Sequence, residues 1–453
     1  MKVSLQDLRN ALRRAPRIGG ADLCRVLHGI DRSTLARLVA HSGDQVVRRG
    51  GSRRTRYALR RALRGRLQSI PLYRIDEQGR GHVVGNLDLT YPEGSALTFD
   101  APFPWPLAAD EMRDGWFDSL PYPILDMRPQ GFLGRNFAHH NWRLLEVPEN
   151  VNSWHDDDIV HALTRFGHDQ SGDLILGDHA YRAHLDHRQE WESRLIRPQQ
   201  VETHYTQHAL AALSQGIAGS SAAGEFPKFT AMRELQGEPR AVIVKFSGAD
   251  DASAVRRWSD LLICEHVALQ TLSLLDVPAA ASDIHQYRGR TFLEVVRFDR
   301  CGPHGRLPLC SLAMLNGALL GQGGVSWPVL AHALAREKWL DPLSVERIGR
   351  LWWFGKLIAN TDMHEGNLSF QPGLTVAPAY DMLPMQYAPL PGGELPTVEF
   401  KAPLPLPGES LVWRQVASVA ITFWQRCAED SRISERFRKV CAINAERIRR
   451  AQG

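Results

Sequence analysis

Leu357-Ile358-Ala359-Asn360-Thr361-Asp362-Met363-His364-Glu365-Gly366-Asn367-Leu368-Ser369-Phe370 changes character twice in fourteen residues. It opens on an apolar helical run, breaks at a polar loop and closes on a short apolar segment that reads as a strand. A loop clamped between two buried elements holds its polar side chains in fixed relation. Two of them carry chemistry, Asp362 and Asn367, a carboxylate and an amide five residues apart. Average composition yields about one such pair by chance in a chain of this length, so its weight depends on its company.

Beyond this loop comes Ala379-Tyr380-Asp381-Met382-Leu383-Pro384, with Asp381, 14 residues after Asn367, entering a loop after the apolar Leu374-Thr375-Val376. Upstream, Ala241-Val242-Ile243-Val244-Lys245-Phe246 puts a lysine at the end of an apolar strand, and Glu265 follows 20 residues later on a helical stretch. A D-x-x-x-x-N loop, a later aspartate as a second hard-oxygen ligand for magnesium, and a Lys–Glu pair that grips nucleotide phosphates are parts of a protein-kinase site. They stand here in kinase order.

At 453 residues and 43% hydrophobic content, the chain has material for three domains. Its longest apolar runs, such as residues 416–424, fall far short of the ~20 residues needed to cross a bilayer. The first residues lack a signal peptide's apolar stretch. No membrane partner and a cytoplasmic location are therefore expected. The six cysteines are scattered without a C-x-x-C pair and read as reduced and mostly buried. His155, Asp156, Asp157, Asp158 and His161 read as the acidic first turn of a helix rather than a metal site. His139, His140, His184 and His187 read as structural or exposed.

The net charge of +4 conceals an asymmetry: residues 1–70 hold 17 Lys/Arg against four Asp/Glu, a balance of +13. Leu5, Leu8 and Leu12 make one helical face, residues 21–27 a second short helix, and residues 33–41 a third, capped by Asp31 or Ser33. Residues 45–49 and 52–59 flank Gly50-Gly51 as a hairpin. Together they resemble a winged helix-turn-helix. This reading puts Arg32, Ser33, Thr34 and Arg37 at base edges and phosphates, and Arg48, Arg49, Arg53, Arg54 and Arg56 on DNA backbone or minor groove. A charge excess on so small a module points to a polyanionic partner, with strongly salt-dependent DNA binding.

Residues 71–200 begin with strand-like pieces at 70–75, 82–89 and 96–99, followed by a Pro/aromatic stretch and helices near 108–117 and 157–166. Gly131-Phe132-Leu133-Gly134-Arg135 reads as a turn. Residues 207–213 form a helix, and 216–229 a small-residue loop whose backbone N–H groups can approach phosphate oxygens, with Lys228 adding charge.

Ser221-x-Ala-Gly-x-x-x-Lys228, Val244-Lys245-Phe246, Arg297-Phe298-Asp299-Arg300, Asn360-Thr361-Asp362-x-His364-x-x-Asn367 and Tyr380-Asp381-Met382-Leu383 resemble the successive motifs of the HipA serine/threonine kinases, toxins of bacterial toxin–antitoxin systems. Residues 81–99, 120–135 and Gly167-x-Asp169-x-x-Gly172 resemble that family's N-terminal subdomain. The winged helix in front is similar to the YjjJ-type branch. The resemblance implies an α+β, two-lobed protein-kinase-like (HipA) fold with an N-terminal winged helix-turn-helix. Its domains would be 1–70 (DNA-binding), 71–200 (HipA-like N-terminal subdomain), 201–310 (N-lobe with phosphate loop) and 311–453 (helical C-lobe with catalytic loop).

The resemblance also implies roles. Asp362 would be the catalytic base, Asn367 and Asp381 the Mg2+ ligands, and Lys245 the holder of the ATP α/β-phosphates. Ser221, Ala222, Ala223 and Gly224 would cradle phosphate with Lys228, and Ser221 would be self-phosphorylated. Arg297 and Phe298 would meet the adenine, although Arg297-Phe298-Asp299-Arg300 reads as much as an inter-lobe salt-bridge scaffold as a ligand contact, with His364 beside the nucleotide or bracing its loop. The partners would be DNA, a protein substrate offering Ser or Thr, and an antitoxin-like protein, and the output growth inhibition through a translation-related target.

Three departures stand out. Glu225-Phe226-Pro227 precedes Lys228 where the family favours G-A-Q-x-K, so that a carboxylate near phosphates is expected to weaken ATP binding by like-charge repulsion. Val296 replaces a Glu, and Glu365-Gly366 a stretch that often carries Lys. An active serine/threonine kinase is the reading adopted. The alternatives are a DNA-binding regulator with a nucleotide-sensing kinase body and a small-molecule phosphotransferase.

Overall fold

The computed structural model of the chain describes residues 3–215 and 225–452. Helix α1 (Leu5–Arg14) starts at a reciprocal cap in which Ser4 and Asp7 satisfy each other's backbone, and it buries Leu8, Ala11 and Leu12 at i, i+3 and i+4. Strand β1 (Ile18–Gly19), α2 (Gly20–Val26), α3 (Arg32–His41), β2 (Val46–Arg49) and β3 (Arg56–Leu59) follow. The antiparallel sheet runs β1-β3-β2, with Leu8, Leu12, Leu23, Leu35, Val46 and Tyr57 in its core. Asp31 caps α3, accepting from the Thr34 amide at 2.8 Å.

The middle domain contains β4 (Ile70–Ile75), β5 (Gly81–Leu89), β6 (Ser95–Leu97), α4 (Asp110–Arg113), β7 (Trp116–Phe117), α5 (Tyr122–Leu125), α6 (Gly131–Leu145), α7 (Asp156–Phe166), β8 (Leu174–Leu176), α8 (Asp178–Gln189) and α9 (Trp191–Arg194). Its antiparallel sheet has the order β7-β6-β5-β4-β8. The stretch read as a turn, residues 131–135, is the first turn of the 15-residue α6. Its glycines hide the helical pattern, yet Gly134, Ala138 and Leu145 are buried along one side, with Phe132 buried in the first turn.

The β2–β3 hairpin, the wing of the sequence reading, is docked on the middle domain through several of the arginines read as DNA contacts. Arg49 and Arg60 both reach the buried Asp88, while Arg54 pairs with Asp114 at 3.2 Å and Arg56 with Glu111 at 3.1 Å. Arg17 meets Asp118 at 2.6 Å, and Arg61 and Arg64 meet Asp157 and Asp158 at 2.8 Å. Val47 and Ala58 of the wing share an apolar cluster with Ala96 and Trp116. The Arg61 amide donates to Leu89 O and the Tyr91 amide to Leu59 O, which continues β3 onto the end of β5. The partner for much of the basic excess is thus inside the chain, because residues 71–200 hold 21 Asp/Glu against 11 Arg.

The next lobe is built on β9 (Leu195–Ile196), α10 (Val201–Gln215), β10 (Lys228–Leu235), β11 (Glu238–Phe246), α11 (Ser253–Thr271), β12 (Ser282–Tyr287) and β13 (Arg290–Val296), in the sheet order β12-β13-β11-β10-β9. A small hairpin of β14 (Arg300–Cys301) and β15 (Gly305–Arg306) leads to the helical lobe. That lobe holds β16 (Cys310–Ser311), α12 (Leu312–Leu319), α13 (Trp327–Arg336), α14 (Pro342–Leu357), β17 (Ser369–Gln371), β18 (Thr375–Val376), α15 (Ser410–Glu429) and α16 (Glu435–Ala451). The largest core runs from α11 through α14, α15 and α16 and takes in Trp353 and Phe354. A five-stranded sheet with one long helix above a helical lobe is the α+β, two-lobed kinase-like fold. Among the described residues no helix is long and apolar enough to cross a membrane.

Candidate active site between the lobes

Alternation along β11 decides where its lysine points. Val242, Val244 and Phe246 face the cluster beneath α10, so Lys245 emerges on the other face, toward α11. There Glu265, fully buried, accepts from Lys245 Nζ at 2.7 and 2.8 Å. Asp381 takes the same ammonium from the helical lobe. Burial alone disfavours the ammonium, but Asp381 and Glu265 outweigh it and hold the lysine's pKa above its ordinary value. Burial pushes Glu265 up despite Lys245. It acts the same way on Asp381, where Lys245 and Lys228 win and the carboxyl is held down. Two carboxylates therefore share one cation.

The loop of Asp362 is fixed from both ends. Just past the end of α14, Ala359 turns the chain with left-handed backbone (φ +58°), and the Trp424 indole of α15 donates at 3.0 Å to the otherwise orphaned Leu357 carbonyl. Asn360 spans two turns: its Nδ2 donates to Asp381 O at 3.2 Å and its Oδ1 accepts from the Asp362 amide at 3.0 Å. The Asn367 side-chain amide donates to Asp362 O at 2.9 Å, which leaves its Oδ1 directed away from that bond and able to meet a cation. Tyr380 ties the second aspartate in, its hydroxyl lying 2.8 Å from both Gly366 O and Ser369 Oγ. Asp381 itself has φ +55°, uncommon for a residue with a Cβ. Lys245, Glu265, Asp381, Asn360, Asp362 and Asn367 are thereby joined in one constellation, with the Asp362 carboxylate more than half exposed.

Other predicted residues lie differently. His364 Nδ1 accepts from the Gly366 amide at 3.0 Å, so it braces the loop, and its Nε2 lies 4.0 Å from Asp362 Oδ1. Arg297 is not free for a nucleotide: it binds Asp299 at 3.0 Å and Asp169 of the middle domain at 3.2 Å, and Arg300 repeats the pattern. The Gly172 amide donates to Asp299 Oδ2 at 3.0 Å, completing a weld between the lobes' connection and the middle domain. Phe298 lies 5.7 Å from the Tyr380 ring. Ser221, Ala222, Ala223 and Gly224 fall outside the described residues. Lys228 pairs across the strands with Lys245 and binds Glu225 at 2.9 Å. Glu365, the loop's departure from the family pattern, turns to Asn316 of α12 at 2.9 Å.

On the N-terminal module Arg32, Ser33 and Arg37 are exposed at the start and side of α3, as are Arg48 and Arg53 on the wing. Ser33 Oγ and Thr34 Oγ1 donate to Asp31 at 2.6 and 3.1 Å. Arg49, Arg54 and Arg56 face the middle domain. Sequence reasoning missed Asn360 and Tyr380 as ties, although both lie within the quoted motifs. It also missed Arg135, whose signal was buried in a stretch dismissed for its glycines.

Residues 66–185 match the family described as YjjJ-like toxin, middle domain, and residues 220–446 match the HipA-like C-terminal domain. The chain is 37% identical over 452 residues to the toxin YjjJ of Escherichia coli (strain K12), across 99% of this chain and 98% of that one. Among solved structures it aligns with HipA in the Shewanella oneidensis MR-1 HipA, HipB and operator DNA complex at 14% identity, covering 84% of this chain and 99% of that one with a TM-score of 0.49. It also aligns with the Helicobacter pylori proinflammatory kinase CtkA at 11% identity, covering 49% of this chain and 90% of that one with a TM-score of 0.34. The family matches and the whole-length relative lead to one conclusion: the chain belongs to the HipA-like toxins, in their YjjJ-type branch.

Proposed function

We propose that this chain is an ATP-dependent serine/threonine protein kinase that acts as a toxin and binds DNA through its N-terminal module. The observation that carries the kinase reading is the buried Lys245, held between Glu265 and Asp381 and connected through Asn360 to the loop of Asp362 and Asn367. The donor set suits the cofactors: Asn367 Oδ1 and the Asp381 carboxylate are hard oxygens fit for magnesium, and Lys245 is fit for phosphate. When bound, ATP supplies the transferred phosphoryl group and magnesium offsets its charge. The exposed carboxylate of Asp362 orients the substrate hydroxyl and accepts its proton. Asn367 keeps the loop's shape while offering its oxygen, and Glu265 keeps Lys245 charged and aimed.

Incubation with magnesium and labelled ATP is expected to mark the protein itself, at Ser221 or a neighbouring residue, and Asp362→Ala to abolish the label. A protein that binds ATP yet never transfers phosphate would instead be a nucleotide-sensing regulator. For DNA, the reading rests on the exposed Arg32 and Arg37 of α3 with Arg48 and Arg53 beside them. A gel shift that survives deletion of residues 1–70 would overturn it. A protein substrate and an antitoxin-like partner complete the proposal by analogy with the family.

A further inference from the structure

β10 and β11 place two lysines directly opposite each other, Lys228 and Lys245. Like charges at paired positions repel, and each ammonium here has its own carboxylate. Lys245 has Glu265 of α11 at 2.7 Å; Lys228 has Glu225 at 2.9 Å. Glu225 is in turn gripped from outside the lobe. The Phe132 amide, in the first turn of α6, donates to its Oε1 at 2.9 Å, and Arg135 Nη2 donates to its Oε2 at 2.6 Å. Gly131 has φ +62°, which favours glycine, and a Cβ there would come within 2.8 Å of the same carboxylate.

Neighbouring residues are anchored as firmly. Phe226 is buried edge-on against Trp258 of α11, with ring centroids 4.7 Å apart, and the Phe246 amide donates to Pro227 O at 3.0 Å. The carboxylate and ring that depart from the family pattern therefore point into neighbours, not toward phosphates. Burial works against the Glu225 charge, but Lys228, the Phe132 amide and Arg135 overcome it and keep the carboxyl ionised. Its charge is spent on three donors, which removes the expected like-charge repulsion.

We propose that Glu225 positions Lys228 for a nucleotide phosphate as Glu265 positions Lys245, with α6 of the middle domain as its anchor. This rests on the kinase reading above, and it makes the middle domain part of the nucleotide site. The alternative is simple electrostatics, in which removing a negative charge beside Lys228 would tighten binding of an anionic ligand. The two make opposite predictions for Glu225→Gln.

The test is calorimetric titration of the full chain with ATP and magnesium, alongside autophosphorylation rates at saturating ATP. Positioning predicts that Glu225→Gln raises the ATP Kd about tenfold and Arg135→Met about threefold, with the saturated rate changed less than about twofold. Unchanged or tighter binding in both variants, with the wild type binding normally, overturns the positioning role and leaves the kinase reading intact. A wild type that binds no ATP removes both. Should the variants fold poorly, hydrogen exchange on the wild type decides: ATP with magnesium is expected to increase protection of the Phe132 amide, and unchanged or lower protection overturns the proposal.

Discussion

The front and the back of this chain both rest on arginine or lysine meeting carboxylate, and residue order announces those carboxylates only in the back. Lys245 and Glu265 lie 20 residues apart on a strand and the helix packed against it, and two local periodicities were enough to bring them face to face. In the front, 17 basic residues against four acidic ones pointed to an external polyanion. Seven of those arginines find carboxylates in the middle domain instead. A segment's own charge count says nothing about what a neighbouring domain contributes. Spacing within a packed pair of elements is legible, whereas complementarity between domains is not.

The sharpest way to break this comparison is to remove the back's cation. Lys245→Met is expected to abolish phosphotransfer and to destabilise the chain by about 3–5 kcal/mol at pH 7, because Glu265 stays buried without a partner. The loss should shrink at pH 5. A buried carboxyl without its cation has a folded pKa above its unfolded one, so the proton it takes up at low pH favours the folded state, and that help is lost as pH rises. Denaturant unfolding at the two pH values measures this. A cost independent of pH would mean that Glu265 does not carry the charge assigned to it.

In the front the matching experiment is Asp88→Ala. Asp88 is almost fully buried and holds Arg49 and Arg60, the second of which also reaches Asp44 at 3.2 Å. Because Arg60 keeps that second carboxylate, the expected cost is about 2 kcal/mol, below that of the fully enclosed lysine pair. A loss under about 0.5 kcal/mol by chemical denaturation would show that the shared cluster of Val47, Ala58, Ala96 and Trp116 holds the wing alone.

How much was legible follows the same line. The strand carrying Lys245, the helix carrying Glu265 and the Asn360–Asn367 loop all announced themselves through local pattern, and the structure brings them together. Arg297 was legible in part: its motif reads as an inter-lobe salt-bridge scaffold as much as a ligand contact, but its partner Asp169 lies in the middle domain, 128 residues away. The partners of Glu225, Phe132 and Arg135, were not legible because they sit on a helix whose first turn is hidden by glycine. Asp88 gave no signal at all, being one acidic residue on a half-exposed strand. In each case the missing information was long-range contact, which no propensity or period encodes.

DNA binding sharpens the comparison further. Arg49, Arg54 and Arg56 are paired with carboxylates, and among the described residues the exposed arginines of α3 and the β2–β3 hairpin outside those ion pairs are Arg32, Arg37, Arg48 and Arg53. Four phosphate-contacting cations give a log–log salt slope of about −3 to −4, whereas adding the three docked arginines would give about −6. Arg32→Ala with Arg37→Ala should weaken a duplex gel shift by about tenfold or more, and Arg54→Ala with Arg56→Ala should leave it nearly unchanged. A steep slope together with a large effect at Arg54 and Arg56 would mean that the wing leaves the middle domain to reach DNA.

The smallest effect is expected at Glu111, and it separates the two kinds of ion pair in the docked interface. Glu111 and Arg56 are 3.1 Å apart with both side chains nearly half exposed, in contrast to Asp88. Water screens such a pair and ordering two long side chains costs entropy, so Glu111→Ala should change stability by less than about 0.5 kcal/mol. That residue should matter most at low ionic strength, and the difference between 20 mM and 500 mM salt in an unfolding titration should be of about the same small size. If Glu111→Ala instead equals Asp88→Ala, docking of the wing depends on the summed field of the acidic face rather than on one buried carboxylate, and the front would then behave as a polyanion-binding surface already occupied by its own neighbour.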